Sequence, residues 1–293
     1  MVTTSAGQRS SREGRAEPSV VPVAGERQVA YAEYGRPGGD PVVFLHGTPG
    51  SRRLGALLDS PAREFDIRVL APDRPGYGHA TPWPNRTVAD AAAFVTPVLD
   101  DADVETASLV AFSGGSPYAL AVAASDPERI SRVDVIAGAT PPALSDGPPP
   151  MQRLLTGLAR TTPWVLRGLL RGQAWLASRM DPSVVVGQYA ADPDAVPDAV
   201  ADVVRADFLE ALAHHRSGAV TEFRQTATDW EIDLGTIGCE VGLWHGESDA
   251  NVPIESVRRL ADRLPTAELH VLEDADHLET LRRSIPEVLA SEG

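Results

Sequence analysis

Short apolar runs recur along the first half of the chain, and each is followed by glycine, proline or polar residues. Uninterrupted apolar runs of this length are typical of strands buried within a parallel sheet. We predict strands at residues 20–23, 28–34, 41–45, 67–72, 107–112 and 132–138. Helical patterns lie between them at residues 52–64, 87–99 and 114–124. This alternation predicts an α/β fold with a mostly parallel central sheet and helices on both faces.

The alternation stops at a proline-rich junction, PPALSDGPPP, at residues 141–150. From there to residue 230 no strand pattern is found. Helical patterns occupy residues 151–160, 164–180, 197–214 and 219–229, and residues 181–190 are ambiguous. Strands then return at 241–246 and 268–273, with helices at 254–264 and 281–289. We therefore predict a core formed by residues 20–140 and 231–293, a helical cap insertion at 141–230, and a flexible N-terminal tail at 1–19.

The balance of charges limits the partners of this chain. Its 293 residues carry a formal net charge of −15, and every basic residue other than histidine is arginine. Because phosphate binding needs a concentrated basic surface, the net charge predicts no nucleic-acid partner and no membrane partner. A single cysteine, Cys239, excludes an intrachain disulfide, and the polar N-terminus lacks the apolar run of a secretory signal. We expect a cytoplasmic protein with a small-molecule substrate and with neither cofactor nor metal; its oligomeric state is open.

The segment AFSGG, residues 111–115, stands between a predicted strand and a predicted helix. The segment resembles the nucleophile elbow of α/β-hydrolases, in which the turn is so sharp that the residues two positions before and after the serine nearly touch and must be small. The turn exposes the Ser113 hydroxyl above the sheet and aims the next helix at developing negative charge. The Gly114 N–H is then a candidate oxyanion donor. In the competing interpretation Ser113 only caps the helix.

Other polar segments follow other predicted strands, at the edge where ligands bind in open parallel sheets. The loop HGTPG, residues 46–50, follows the third strand, and Pro49 in it has no N–H to donate. Asp249 lies in HGESDANVP, after the strand at 241–246. His277 lies in EDADHLE, after the last strand. A serine nucleophile needs a base beside it, and His277 is placed to supply one.

Together these motifs resemble α/β-hydrolases, in particular the serine hydrolases of the esterase and proline-iminopeptidase-like branch with an HG-x-PG oxyanion loop. The resemblance implies Ser113 as nucleophile, Asp249 as acid and His277 as base, in the order usual for this fold. It also implies an oxyanion hole formed by the N–H groups of Thr48 and Gly114.

Two positions depart from the family pattern. Ala111 stands where glycine is commoner, a difference of one methyl group. Asp276 stands where most relatives carry glycine before the catalytic histidine. It either alters the loop or adds a carboxylate beside the base. The loop DRPGYG, residues 73–78, also resembles a family loop; we expect Arg74 to pair with carboxylates and His46 to hold its own loop by hydrogen bonds.

The implied activity is hydrolysis of an ester, lactone or related acyl bond of a small, largely apolar substrate. Candidate residues for the acyl pocket are Trp164, Trp175 and Phe208, although we expect more of the large apolar residues of this segment to belong to the core of the cap itself.

Three alternatives remain open. A lyase, cyclase or C–C bond hydrolase would use the same pocket without acylating Ser113. A proline-iminopeptidase-like peptidase would receive a free amine at cap carboxylates, for which the candidates are Asp207, Glu210 and Glu222. A non-catalytic ligand receptor would bind without turnover. The sequence does not identify the substrate.

Overall fold

Eight strands form one sheet, in the order β1-β2-β4-β3-β5-β6-β7-β8. The structure is a computed structural model that describes residues 17–147 and 149–292. The first strand pairs antiparallel with the second, the second pairs antiparallel with the fourth, and all other neighbours are parallel. The strands are Ser19–Val23 (β1), Arg27–Gly35 (β2), Asp40–Leu45 (β3), Ile67–Pro72 (β4), Ala107–Phe112 (β5), Ile130–Ile136 (β6), Glu240–Gly246 (β7) and Ala267–Leu272 (β8).

The predicted mostly parallel sheet with helices is confirmed. The strands predicted at 67–72 and 107–112 coincide with β4 and β5, and β6 begins two residues before its predicted start. The tail predicted for residues 1–19 falls outside the described residues except for its last three positions, and β1 already begins at Ser19.

Ten α-helices lie in the described part of the chain. Those before residue 140 are Asp59–Glu64 (α1), which continues a 3₁₀ turn at Arg52–Leu58, Ala92–Asp101 (α2) and Ser116–Ser125 (α3). A helical segment follows, consisting of Pro150–Thr161 (α4), Pro163–Ala177 (α5), Ser183–Val186 (α6), Asp198–Ala211 (α7) and Ser217–Gln225 (α8). Ile254–Ala261 (α9) and His277–Ala290 (α10) complete the fold. The described residues between 141 and 230 contain no strand. None of the helices described has the length and apolar character needed to cross a membrane.

Successive side chains of each central strand point to opposite faces of the sheet. In β3, Val42 and Phe44 join one buried cluster, whereas Val43 and Leu45 join the other. The first cluster also contains apolar side chains of α4, α5, α7 and α8. The helical segment therefore shares a core with one face of the sheet.

Candidate active site

Ser113 follows β5 directly and adopts a φ of 52°, in the left-handed region that side chains avoid. Such a conformation costs about 1–3 kcal/mol and persists only where surrounding structure imposes it. The Ser113 carbonyl accepts a hydrogen bond from the Ala139 N–H at 3.0 Å. At Gly115 an added Cβ would collide with the Leu45 carbonyl oxygen. Helix α3 begins at Ser116 with Gly115 in the capping position, so Ser113 is not its cap.

The loop after β3 lies against this turn. A Cβ added at Gly114 would stand 3.2 Å from the Thr48 nitrogen and would collide with the Thr48 hydroxyl. A Cβ added at Gly47 would stand 3.5 Å from the Ser113 Cβ. Thr48 and Gly114, the two predicted oxyanion donors, are therefore neighbours beside Ser113, and all three line one cavity.

Two predicted partners, His277 and Asp249, form a direct pair. The His277 Nδ1 and the Asp249 Oδ2 are 2.7 Å apart, and both side chains are buried. The Asp249 Oδ1 accepts hydrogen bonds from the backbone N–H groups of Asn251, at 2.8 Å, and Val252, at 3.0 Å. Burial raises the pKa of the Asp249 carboxyl, but the charge of His277 and these hydrogen bonds outweigh it and hold the pKa below its usual value. Asp249 therefore remains an ionised acceptor.

A short segment before α7, residues 188–191, holds the loops that carry this pair. Asn251 Nδ2 donates to the Gln188 carbonyl at 3.1 Å, and the Leu278 N–H donates to the Tyr189 carbonyl at 3.0 Å. The Tyr189 ring is also stacked near the His277 ring, with 6.2 Å between centroids. Tyr189 lies in the stretch that the sequence left ambiguous.

Asp276, the departure before the histidine, caps α10. One carboxylate oxygen accepts from the Glu279 N–H at 2.8 Å, and the other accepts from the Ala191 N–H at 2.8 Å. A carboxylate in the first turn stabilises a helix through its orphan N–H groups and its dipole. Both carboxylate oxygens of Asp276 are thus bound to backbone N–H groups, one in α10 and one in the 188–191 segment.

Arg74 and His46 hold the Thr48 loop from behind. The Arg74 side chain donates to the carbonyl oxygens of His46 and of Gly47, the latter at 3.0 Å. The His46 Nε2 accepts from the Arg74 backbone N–H at 3.2 Å, and its Nδ1 lies 2.8 Å from the Gly47 carbonyl. Burial, followed by the charge of Arg74, holds the pKa of His46 well below its usual value. The predicted structural role of His46 is confirmed.

Glu222 of α8 connects this loop to the helical segment. Its carboxylate accepts from Arg74 at 2.8 Å, from Arg86 at 2.6 Å and from the Thr48 hydroxyl at 2.5 Å. Burial raises the pKa of Glu222, but Arg74 and then Arg86 outweigh it and lower the pKa to about 2. The predicted pairing of Arg74 with a carboxylate is confirmed.

The substitution Glu222→Gln should lower the free energy of unfolding by about 3–5 kcal/mol at neutral pH, because it leaves two buried guanidinium groups without a counter-charge. The folded-state pKa of about 2 lies below the ordinary 4.5. The ionised carboxylate therefore stabilises the fold fully above about pH 4.5, and this contribution is lost as the pH falls towards about 2. Urea unfolding at pH 7 and pH 4 should show the difference between wild type and variant shrinking in acid.

The matched control is Glu33→Gln, which removes a partly exposed partner of Arg68. This variant should lower the free energy of unfolding by less than about 1 kcal/mol, as for most surface ion pairs. An equal loss of unfolding free energy in the two variants would contradict a larger contribution from Glu222 and its two buried arginines.

A cavity of about 600 Å³ opens above Ser113 and His277. This volume lies within the range of small-molecule sites. Most of the surface that lines the cavity is apolar. The large apolar lining residues come from α3, α4, α8 and from loops before α2 and after α8, and they are Val88, Tyr118, Met151, Leu155, Phe223 and Trp230.

The predicted pocket residues Trp164, Trp175 and Phe208 do not line this cavity, and that prediction is wrong. Trp164 and Trp175 are 72% and 58% exposed on the outer face of α5, because Leu166 and Leu170 occupy its inner face. Phe208 is 1% exposed and packs inside the core that the helical segment shares with the sheet.

The other carboxylates of the helical segment also have partners. Asp207 accepts from the Ser51 N–H at 2.6 Å and from the Ser51 hydroxyl at 2.8 Å. Glu210 pairs with Arg52 at 2.6 Å and with Arg53 at 3.3 Å. Neither lines the cavity.

Sequence reasoning missed Tyr189, Asn251 and the position of Glu222 beside the Thr48 loop. Asn251 sits inside the HGESDANVP motif, so the motif itself carried a signal for it. Glu222 offered none, since the chain contains 41 acidic residues.

Comparison with known proteins agrees with this architecture. Residues 42–291 match the family model described as Alpha/beta hydrolase family. A 2-hydroxymuconate semialdehyde hydrolase of Pseudomonas putida is 24% identical over 255 residues, covering 82% of this chain and 81% of the relative. A non-heme chloroperoxidase of Kitasatospora aureofaciens is 29% identical, covering 85% and 88% respectively.

Among solved structures, the enol-lactonase from Burkholderia xenovorans LB400 superimposes with a TM-score of 0.71 at 21% identity, covering 94% of this chain and 99% of that chain. At this identity the likeness shows the fold alone. The family match spans most of the chain, and this protein therefore belongs to the alpha/beta hydrolase family.

Proposed function

We propose that this chain is a serine hydrolase that cleaves an ester, lactone or related acyl bond of a small, largely apolar substrate. The observation that carries the proposal is the 2.7 Å pair between His277 and Asp249 at a cavity that also exposes Ser113. A nucleophile, a base and an orienting acid on three strand-end loops are the parts that acyl transfer needs.

In the proposed mechanism the Ser113 Oγ attacks the acyl carbonyl while His277 takes its proton. The N–H groups of Thr48 and Gly114 stabilise the oxyanion, and such donors are each worth about 2.7–4 kcal/mol. His277 then protonates the leaving alcohol as the C–O bond breaks, which leaves an acyl-enzyme. A water molecule, deprotonated by His277, attacks the acyl carbon; the acid departs and Ser113 regains its proton.

Asp249 acts through His277. Its carboxylate accepts the Nδ1 proton, which keeps Nε2 free to receive the serine proton, and it stabilises the imidazolium formed during reaction. Two backbone N–H groups fix the other carboxylate oxygen, so the acid cannot rotate away from the histidine.

The helical segment, α4 to α8, serves in this proposal as the cap predicted at residues 141–230, and it shapes the acyl pocket. Its α4 and α8 contribute Met151, Leu155 and Phe223 to the cavity wall. An apolar wall favours an apolar acyl or alkyl group over a sugar, because burial of apolar area contributes about 25 cal/mol per Å².

The peptidase alternative lacks support. A free amine needs an unpaired carboxylate, and the one candidate that lines the cavity, Glu222, is already bound by two arginines. A C–C bond hydrolase is the second candidate function, favoured by the similarity to the 2-hydroxymuconate semialdehyde hydrolase.

The test is turnover of p-nitrophenyl acetate, butyrate and octanoate, with 2-hydroxymuconate semialdehyde assayed alongside. We expect all three esters to be hydrolysed, with kcat/KM rising from acetate to butyrate because added methylene groups enter an apolar cavity. Turnover of the semialdehyde with no turnover of any ester would reject the ester hydrolase in favour of the second candidate.

A further inference from the structure

One stretch of the chain has a charge opposite to that of the whole. Between Asp146 and Asp181 there is no aspartate or glutamate, in a chain with 41 acidic residues and a net charge of −15. The same stretch carries five arginines, at positions 153, 160, 167, 171 and 179. It contains α4 and α5 entirely. These two helices therefore form a basic region on an acidic protein.

The outer face of α5 is apolar as well. Trp164 and Trp175 are separated by eleven residues, about three helical turns, so both project from the same side. Gly168 and Gly172 lie between them, and a Cβ added at either would meet nothing within 4 Å. Leu169 and Leu176 are exposed beside this stripe.

The basic side chains border the stripe. Arg167 and Arg171 lie on the flank opposite the leucines and make no ion pair with any residue of 17–147 or 149–292. The Arg179 guanidinium stands 4.3 Å from the centre of the Trp175 ring. Elsewhere on the protein some exposed arginines, such as Arg36 and Arg258, are paired with carboxylates, whereas Arg263 has no ion pair among the described residues either.

Exposed apolar side chains are concentrated in this region. Eight of the ten large hydrophobic residues that are exposed in the described structure lie between residues 151 and 184. A contiguous exposed apolar patch on a folded domain marks a site that binds another protein or a membrane. The combination of tryptophan, leucine and unpaired arginine on one helix is typical of helices that lie in the membrane interface.

We propose that the outer face of α5, formed by Trp164, Leu169, Trp175 and Leu176 with Arg167 and Arg171, docks on an anionic lipid bilayer. The arginines contact lipid phosphates, the tryptophan rings enter the headgroup layer, and the acidic remainder of the protein faces away from the lipid. The net charge of −15 predicts repulsion from anionic lipid, but it is a property of the whole chain and not of this face, whose helix carries no acidic residue. A two-fold dimer through it would instead bring the same arginines of two copies together.

The test is co-sedimentation of the full chain with vesicles of phosphatidylcholine that contain phosphatidylglycerol, at low salt. Wild type should bind these vesicles and not vesicles of pure phosphatidylcholine. The double variant Arg167→Gln and Arg171→Gln should bind about 25-fold more weakly, because each arginine near an anionic surface contributes about 1 kcal/mol. The double variant Trp164→Ser and Trp175→Ser should no longer sediment with the anionic vesicles.

The matched control is Arg258→Gln with Arg263→Gln, which makes the same change in net charge away from α5. It should bind as wild type does. All variants should hydrolyse a water-soluble ester at the wild-type rate, so this result is separate from the proposed chemistry. The proposal is overturned if wild type does not bind, if it binds both kinds of vesicle equally, if the two arginine pairs have equal effects, or if light scattering shows a dimer that the tryptophan variant dissociates.

Discussion

Replacing Ser113 with alanine should lower kcat/KM for p-nitrophenyl butyrate by about 10⁴- to 10⁶-fold, as removal of a catalytic nucleophile does in serine hydrolases. The oxyanion donors and the cavity remain, so a small residual rate is expected. The fold should survive, because alanine loses only a hydroxyl at a position already in a left-handed conformation. Steady-state kinetics with circular dichroism as a check on folding measures both effects.

Ser116→Ala is the matched control, since Ser116 lies on the same turn and its buried hydroxyl has no hydrogen-bond partner among the described residues. We expect activity within a few-fold of wild type. If the two alanine variants retained equal activity, Ser113 would not be the nucleophile.

Asp249→Asn should lower kcat by about 10⁴-fold with little change in KM. The amide can present its NH₂ group to His277 Nδ1, and the histidine then carries its proton on Nε2, where it cannot accept the serine proton. Size and backbone hydrogen bonding are nearly unchanged, so a loss of activity reports on the tautomer. The measurement is kcat and KM for the same ester between pH 6 and pH 9.

Glu247→Gln is the control for the acid, because Glu247 is the nearest other carboxylate in the same loop and is exposed. It should leave kcat close to wild type. A large loss of activity in Glu247→Gln, together with an active Asp249→Asn, would show that Glu247 and not Asp249 is the acid.

The sheet was predictable because its central strands are short apolar runs with clear ends. IRVLAP and ASLVAF coincide with β4 and β5, since each is buried except for the half-buried Arg68 and is followed at once by a polar residue. The convergence of Ser113, His277 and Asp249 was predictable for a related reason: parallel strands end at one edge, so polar motifs at strand ends meet there.

The pocket was not predictable, because α5 carries large apolar residues on its inner face and on its outer face alike. Trp164 and Leu166 are both large and hydrophobic, and only packing against the rest of the fold decides that the leucine faces inward. Periodicity identifies a buried face only when the opposite face is polar. The place of Tyr189 beside His277 was not predictable either, because its carbonyl accepts a hydrogen bond from the Leu278 N–H, which is distant in the sequence.

Asp276 shows how a departure from a family pattern can be recognised but not interpreted from sequence. A carboxylate before the histidine either faces the imidazole or faces the helix. In the fold the carboxylate is held by the Glu279 N–H of its own helix and by the Ala191 N–H, which lies 85 residues away in the sequence.

The most direct test of the central claim is covalent trapping with a fluorophosphonate, followed by peptide mass spectrometry. A nucleophilic Ser113 activated by His277 and Asp249 should carry one phosphonyl group per chain, on the peptide that contains AFSGG. Asp249→Asn should react far more slowly, and Ser113→Ala should not react. An adduct on another residue, or ester turnover by a protein that is never labelled, would contradict the proposed acyl-enzyme.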